Sequence, residues 1–311
     1  MRAHPQGLLI VLTGPTATGK TRLAVRLALE LDGEIISADS RQVYRGMDLG
    51  TGKDLEDYRV GDRFIPYHLV DIAEPGSEYN LFSFQQDFRR AFDDITSRKK
   101  QAVLCGGSGM YIEAAITSYP LRFVPHNPSL RRELEAQSME QLVQRLSQLK
   151  KLHNTTDITD RLRLLRAIEI AEHERQHAGS GEEVSPLQHV VFAIHREREV
   201  LRQRITQRLK ERLEMGMLRE VQRLMDEGVS PKKLHYYGLE YRYLSSHLRG
   251  HLTYNEMFTK LNTAIHQFAK RQMTWFRRME RKGIAIHWLP GDRPVEEQME
   301  LLFHHLDKTK G

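Results

Sequence analysis

The sequence predicts an α/β fold: a parallel sheet core of the phosphate-loop type, a helical insertion and a helical C-terminal part. Three observations predict it. The apolar run Leu8 to Leu12 feeds a glycine-bounded turn, Gly14-Pro15-Thr16-Ala17-Thr18-Gly19-Lys20-Thr21, which opens an amphipathic pattern. Short buried-strand patterns then alternate with helical ones up to about residue 120, as in a doubly covered sheet. From Pro128 to about Gln176 only helical periodicity is present, before an apolar strand returns at Val190. The expected organisation is therefore a first core segment at 1–120, a helical insertion at 121–186, and a return to the core with basic helices and a closing helix at 187–311.

Composition agrees with a folded enzyme-sized chain. Hydrophobic residues make up 40% of the 311 and charged residues 28%, and no apolar run approaches a membrane span, so no membrane partner is expected. Met1 to Gly7 holds no apolar signal core and Cys105 is the lone cysteine, which points to a cytoplasmic protein without disulfides or a cysteine-rich zinc module. The 15 histidines show no metal-ligand spacing. The net charge of +6 is unevenly placed: His195 to Lys282 holds 20 Lys and Arg against 10 Asp and Glu, the remainder 27 against 31. Such a basic half fits either a polyanionic partner or a solvated arginine-rich surface.

In chain order, the turn at Gly14 to Thr21 reads as a phosphate cradle. Glycines let the backbone wrap an anion, the new helix points free N–H groups at it, Lys20 adds a point charge, and Thr21 suits Mg²⁺. Leu23, Ala24, Leu27, Ala28 and Leu31 give that helix one apolar face. A second strand, Glu34 to Ala38, ends at Asp39, placing a carboxylate one strand over from the cradle at the ligand-binding edge. General base, magnesium ligand and helix cap are all open to it. The glycine-punctuated loop Gly46 to Lys53 brings a lysine within reach of a phosphate.

Pro66 to Ile72 reads as a strand, and Ser83-Phe84-Gln85-Gln86 as a capping box ahead of Phe84, Phe88, Phe92 and Ile95 on a core-facing helix. Gln101 to Cys105 is a further strand, turning through Gly106-Gly107-Ser108-Gly109 into a helix, with Ser108 either a cap or a functional hydroxyl. In the insertion, Ser138 to Gln141 caps Met139 to Leu149, and Leu162, Leu165, Ile168 and Ala171 define a buried face. Ala178 to Pro186 reads as a loop. Arg196 to Met215 carries Leu201, Ile205, Leu209 and Leu213 on one stripe and Arg204, Arg208 and Arg212 on another, so three guanidiniums share a face. Thr253 to Glu256 caps a long helix through Met257, Leu261, Ile265 and Phe268 into Lys270-Arg271-Gln272-Met273-Thr274-Trp275-Phe276-Arg277. Cations interleaved with aromatics suit an RNA loop, whose bases offer faces and whose backbone offers charge. Ile284 to Trp288 is a last strand and Pro294 to Leu306 a closing helix.

In this order the segments resemble the tRNA dimethylallyltransferase family over nearly the whole chain, Leu8 to about Trp288. The match runs through Gly14 to Thr21, Asp39 to Tyr44, Gly46 to Thr51, His68 to Asp71, Gly106 to Tyr111, Arg163 to Glu169, Arg204-Ile205 with Arg208, and Lys270 to Arg277. The resemblance implies transfer of a dimethylallyl group from dimethylallyl diphosphate to N6 of the adenosine just 3′ of a tRNA anticodon. It makes Asp39 the base and gives Ser108, Arg208, Lys20, Thr21 and the loop amides to the departing pyrophosphate, with Mg²⁺ as cofactor. It also implies tRNA contacts at Asp39, Ser40, Arg41, Gln42, Arg131, Leu162, Arg163, Leu164, Leu165, Arg166, Lys270, Arg271, Gln272, Trp275 and Arg277, in a chain expected to act as a monomer. Ser108 replaces the family's usual threonine and keeps the hydroxyl. Tyr237-Gly238-Leu239-Glu240 replaces an apolar residue, Gly-Tyr and a basic residue, and Ile265-His266 replaces Thr-Arg, so two cations are missing from the expected tRNA contacts.

Overall fold

The computed structural model describes residues 7–117, 121, 123–150, 159–176 and 186–308. It divides into two compact units, Met1–Ser118 with Ser185–Gly311, and Tyr119–Val184. The predicted loop at Ala178 to Pro186 lies outside the described residues except for its last member.

The larger unit is built on a six-stranded parallel sheet. Its strands are β1 (Leu9–Thr13), β2 (Gly33–Ser37), β5 (Tyr67–His68), β6 (Gln101–Gly106), β7 (His189–His195) and β8 (Ile286–Pro290), in the order β5-β2-β6-β1-β7-β8. A small antiparallel pair, β3 (Arg59–Val60) and β4 (Arg63–Phe64), stands apart. Every residue of β1, β2 and β6 is buried, because helices cover both faces of a parallel sheet and the strands read as continuous apolar runs. One face packs Leu9, Val11, Ile36 and Leu104 under Phe84, Phe88, Phe92 and the helices after residue 198; the other packs Ile10, Leu12, Ile35 and Val103 under Leu23, Leu27, Leu302 and Phe303.

Strand order corrects one expectation. Asp39 does not lie one strand over from the cradle: β6 runs between β1 and β2, in register with both. The extended segment from Pro66 is also shorter than expected, pairing only at Tyr67 and His68.

The helices of this unit are α1 (Lys20–Glu30), α2 (Leu81–Ser97), α3 (Gly109–Ile116), α7 (Arg198–Glu214), α8 (Met217–Asp226), α9 (Pro231–Tyr237), α10 (Leu239–Leu248), α11 (Tyr254–Arg281) and α12 (Val295–Lys308), numbered with the insertion's α4–α6 in place. Helix α2 starts earlier than its sequence signature suggested. Asn80 is the cap, accepting from the Ser83 amide, and Ser83 is already inside the helix. The capping box at Thr253 and Glu256 starts α11 as expected, but Phe268 points outward, 39% exposed, because the buried stripe moves on through Ala269, Gln272, Phe276 and Met279.

The smaller unit holds α4 (Pro128–Glu135), α5 (Met139–Leu149) and α6 (Arg161–Gln176). Its core is Leu134, Leu142, Leu146, Leu164, Leu165, Ala167, Ile168 and Ala171. Leu162 is outside that core at 58% exposure; Leu164 occupies the inward position instead.

Candidate active site

The turn after β1 is held open by its neighbours. Thr18 Oγ1 and Lys20 Nζ donate to Pro15 O at 2.8 and 3.4 Å, Arg204 Nε donates to Ala17 O at 2.9 Å, and Arg196 Nε to Thr18 O at 3.1 Å. With these carbonyls taken by donors, the loop presents N–H groups and the start of α1 to an anion. Burial pulls the Lys20 ammonium below its ordinary value, and Arg208 and Arg212 push the same way against Cys105 and Asp39. Diphosphate charge would restore it. Thr21, the second residue of α1, is half-buried, and its hydroxyl bonds to no described residue. Among the described residues there is no group of three or more His, Cys, Asp or Glu that could hold a metal ion; Thr21 is the loop residue that would hold a Mg²⁺, whose charge would offset that of a bound anion.

Asp39 follows β2 and is half-buried, with Oδ1 accepting from the Arg41 amide at 2.9 Å. It does not cap a helix. Ser108 precedes α3 without capping it; its Oγ accepts from the Ser40 amide at 3.3 Å, while its own amide donates to Ala38 O at 3.3 Å. The ends of β2 and β6 are thus laced together, and both side chains stand at the carboxyl edge of the sheet. Asp39 and Lys20 are close enough for their charges to act on each other.

The arginine stripe of α7 runs along this edge. Beyond Arg204, Arg208 reaches Thr16 Oγ1 at 3.4 Å and Asp54 Oδ2 at 2.7 Å, and Arg212 reaches the two Asp54 oxygens at 3.1 and 3.2 Å. The partner is therefore Asp54 rather than the neighbouring Glu211 or Glu214. Both guanidiniums lie on Gly52, where a Cβ would come within 2.7 Å of Arg212 and 3.1 Å of Arg208. The loop carrying Gly52 is fixed from α8: Glu220 accepts from the amides of Asp48, Leu49 and Gly50 at 2.8, 2.8 and 3.0 Å and from Tyr241 Oη at 2.7 Å. Lys53 does not reach for a phosphate. It is buried, and its ammonium bonds Tyr44 O, Asp48 Oδ1 and Asp71 Oδ1.

Thr16, Ala17, Ile205, Arg208, Leu209, Arg212, Met217, Glu240 and Ile265 line a small, partly open pocket beside the phosphate loop. Its lining mixes apolar side chains with two guanidiniums and one carboxyl group. Glu240, the departure read as a lost tRNA contact, lies in this pocket. Burial pushes its carboxyl above the usual carboxylate range, and Arg212 and Arg208 pull it back only in part. His266, the other departure, sits 3.3 Å from Thr206 Oγ1 of α7.

Helix α11 closes the site from above. Gln272 is buried, with Oε1 accepting from the Thr16 amide and Nε2 donating to Gly107 O, both at 2.9 Å. Its amide thus ties the phosphate loop to the turn after β6. Trp275 is half-buried against Gly109, where a Cβ would overlap the indole, and Arg278 stacks on it 4.8 Å from the ring centre. Lys270, Arg271 and Arg277 point to solvent. In the helical unit, Arg163 and Leu162 are exposed, whereas Leu164 and Leu165 are buried in its core. Arg131 and Arg166 both bond Glu169, whose side chain is 1% exposed. Asp54, Glu220 and Arg196 escaped sequence reasoning, since a single charged residue on a loop or helix carries no periodic or spacing signal.

The family model described as IPP transferase matches residues 42–279. The tRNA dimethylallyltransferase 2 of Syntrophotalea carbinolica is 58% identical over 284 residues, 91% of this chain and 94% of that protein. The tRNA dimethylallyltransferase 1 of Geotalea uraniireducens is 55% identical over 297 residues, 94% and 96% of the two chains. Among solved structures, the full-length tRNA isopentenylpyrophosphate transferase of Bacillus halodurans superposes with a TM-score of 0.70 at 30% identity, covering 98% of each chain. A eukaryotic dimethylallyltransferase solved acting on tRNA shares the fold, with a TM-score of 0.74 at 22% identity over 91% of this chain and 73% of that one. By the matched segment and by relatives aligned along nearly their whole length, the chain belongs to the IPP transferase family.

Proposed function

We propose that this chain is a tRNA dimethylallyltransferase. It moves the dimethylallyl group of dimethylallyl diphosphate onto N6 of the adenosine 3′-adjacent to the anticodon, giving N6-isopentenyladenosine and pyrophosphate. The observation that supports this reading best is a carboxylate, Asp39, at the same sheet edge as a glycine-bounded loop whose carbonyls are held by Thr18, Lys20, Arg196 and Arg204.

As N6 attacks the allylic carbon, the N6–C1 bond forms and the C1–oxygen bond breaks. Asp39 accepts the N6 proton. The charge growing on pyrophosphate meets the free N–H groups of the Gly14 to Thr21 loop, Lys20, the Ser108 hydroxyl and Arg208. Thr21 would hold Mg²⁺, which when bound would supply further neutralisation of that charge. The target base must leave its stack to reach this edge. Ser40, Arg41 and Gln42, with the outward cations Lys270, Arg271 and Arg277 of α11, are suited to grip the anticodon stem-loop, and Arg163 and Leu162 offer the surface of the helical unit. The reading has one chain acting alone on cytoplasmic tRNA.

Incubating the protein with labelled dimethylallyl diphosphate and either tRNA or AMP tests it. The expected result is prenylated adenosine in digested tRNA, by mass spectrometry, and none on AMP. Transfer to AMP alone, or ATP hydrolysis without transfer, overturns the reading. Chelating divalent ions should abolish turnover, with recovery on adding Mg²⁺.

A further inference from the structure

Tyr236, on the short helix α9, is a large aromatic side chain left 37% exposed. Its ring is not loose: the hydroxyl donates to Tyr79 O at 3.1 Å, and Tyr237 meets it edge-on with centroids 5.6 Å apart. The Arg41 guanidinium lies 5.0 Å from its centroid and the Lys233 ammonium 5.8 Å. Lys233 is already paired with Glu78. Arg41 differs, because among the described residues nothing accepts a hydrogen bond from its guanidinium. Its backbone amide, meanwhile, holds the Asp39 carboxylate.

A planar cation stacked on a fixed ring, with its donors unspent and its backbone holding the acid, is more than a surface contact. Cation–π stacking fixes the plane of the guanidinium but uses none of its five N–H donors. Such a pair presents a flat face for a nucleobase and donors for its edge or a flanking phosphate.

We infer that Arg41 and Tyr236 form a stacking seat for a second, unpaired nucleotide of the RNA loop, the one next to the base delivered to Asp39. The inference rests on the proposed tRNA reading. Seating the neighbour would fix the backbone from which the target base swings, so that binding energy spent beside the reacting base goes into orienting it. Its ligand is single-stranded RNA, recognised by a π face rather than by helical shape.

The test uses the full chain and an anticodon stem-loop carrying 2-aminopurine at either nucleotide flanking the target adenosine. Wild-type protein should quench the fluorescence at one flank by stacking. Tyr236→Leu should abolish that quenching and raise the KM for the stem-loop about 10-fold, a larger change than in kcat, in line with stacking energies measured for single bases. Tyr236→Phe, which loses only the hydroxyl bond, should keep the quenching, and Arg41→Ala should weaken it. Thermal melting of each variant identifies misfolding, and Arg41→Ala carries the test if the Leu variant unfolds. Unchanged KM and no quenching at either flank, in an enzyme that still prenylates the stem-loop, overturn the seat and leave the function standing. A wild-type protein that neither binds nor prenylates the stem-loop refutes the proposed function instead.

Discussion

The cations along the carboxyl edge of the sheet and those on the outer face of α11 carry the same charge in different settings. At the sheet edge Arg196, Arg204, Arg208 and Arg212 are each bonded to a loop carbonyl or to Asp54, and Arg212 is only 11% exposed. On α11, Lys270, Arg271 and Arg277 are exposed, and no carboxylate among the described residues pairs with them. The first set has paid its ordering cost during folding and is suited to a small, charge-dense anion in fixed geometry. The second keeps its freedom and suits a long, deformable polyanion whose phosphates need neutralising but not placing.

The contrast breaks first at the acid. Asp39→Asn keeps the hydrogen bond to the Arg41 amide but accepts no proton, so single-turnover transfer should fall by about 10³-fold, within the span of general-base catalysis. Stem-loop affinity should change far less. Arg208→Ala comes next, with kcat down about 10²-fold, the cost of one preorganised donor facing a developing charge. Rapid-quench kinetics with saturating stem-loop measures both. If Arg208→Ala altered only the KM for RNA, the two sets of cations would not differ in kind.

How far this contrast was legible in the sequence depends on the residue. The cradle, the buried strands and the capping boxes at Ser138 and Thr253 are local patterns, and local patterns survive without knowledge of the fold. Strand order is not local, which is why β6 was not foreseen between β1 and β2. Lys53 departs from its expected role for a related reason. It has the chemistry of a ligand contact, but Asp71, distant in sequence, claims its ammonium first. Glu240 shows the same limit from the other side: its substitution is visible in the sequence, but only the structure places it in one pocket lining with Thr16, Arg208 and Arg212.

Arg131 and Arg166 of the helical unit behave like the sheet-edge cations, being spent on Glu169 with help from the Asn127 amide at 3.2 Å. Burial alone would raise the Glu169 carboxyl, but the hydrogen bonds from Arg131, Arg166 and Asn127 outweigh it and hold it below the usual carboxylate range. A carboxyl depressed in the folded state stabilises above its unfolded pKa, so this contribution is present at neutral pH and is lost as pH falls below about 4.5. Glu169→Ala should cost about 2–3 kcal/mol, discounted from a fully buried pair because both arginines are one-third exposed. Chemical denaturation at pH 7 measures it. The gap between wild type and variant should close towards pH 3, and a gap independent of pH would mean that Glu169 matters for packing rather than charge.

The smallest expected effect is the one that most directly separates the two settings. Replacing Lys270, Arg271 and Arg277 together by Gln removes three exposed charges without touching the phosphate loop. If they meet RNA as mobile counter-charges, log Kd for the stem-loop should depend less steeply on log salt, by about 2 units of slope at roughly 0.7 per phosphate neutralised. The loss in affinity should be similar for stem-loops of different sequence, because phosphate contacts position without specifying. The donor's KM should stay close to wild type, since these side chains lie on the face of α11 opposite the buried Gln272 and Phe276. An unchanged salt slope with a raised donor KM would place these cations with the caged set and erase the distinction.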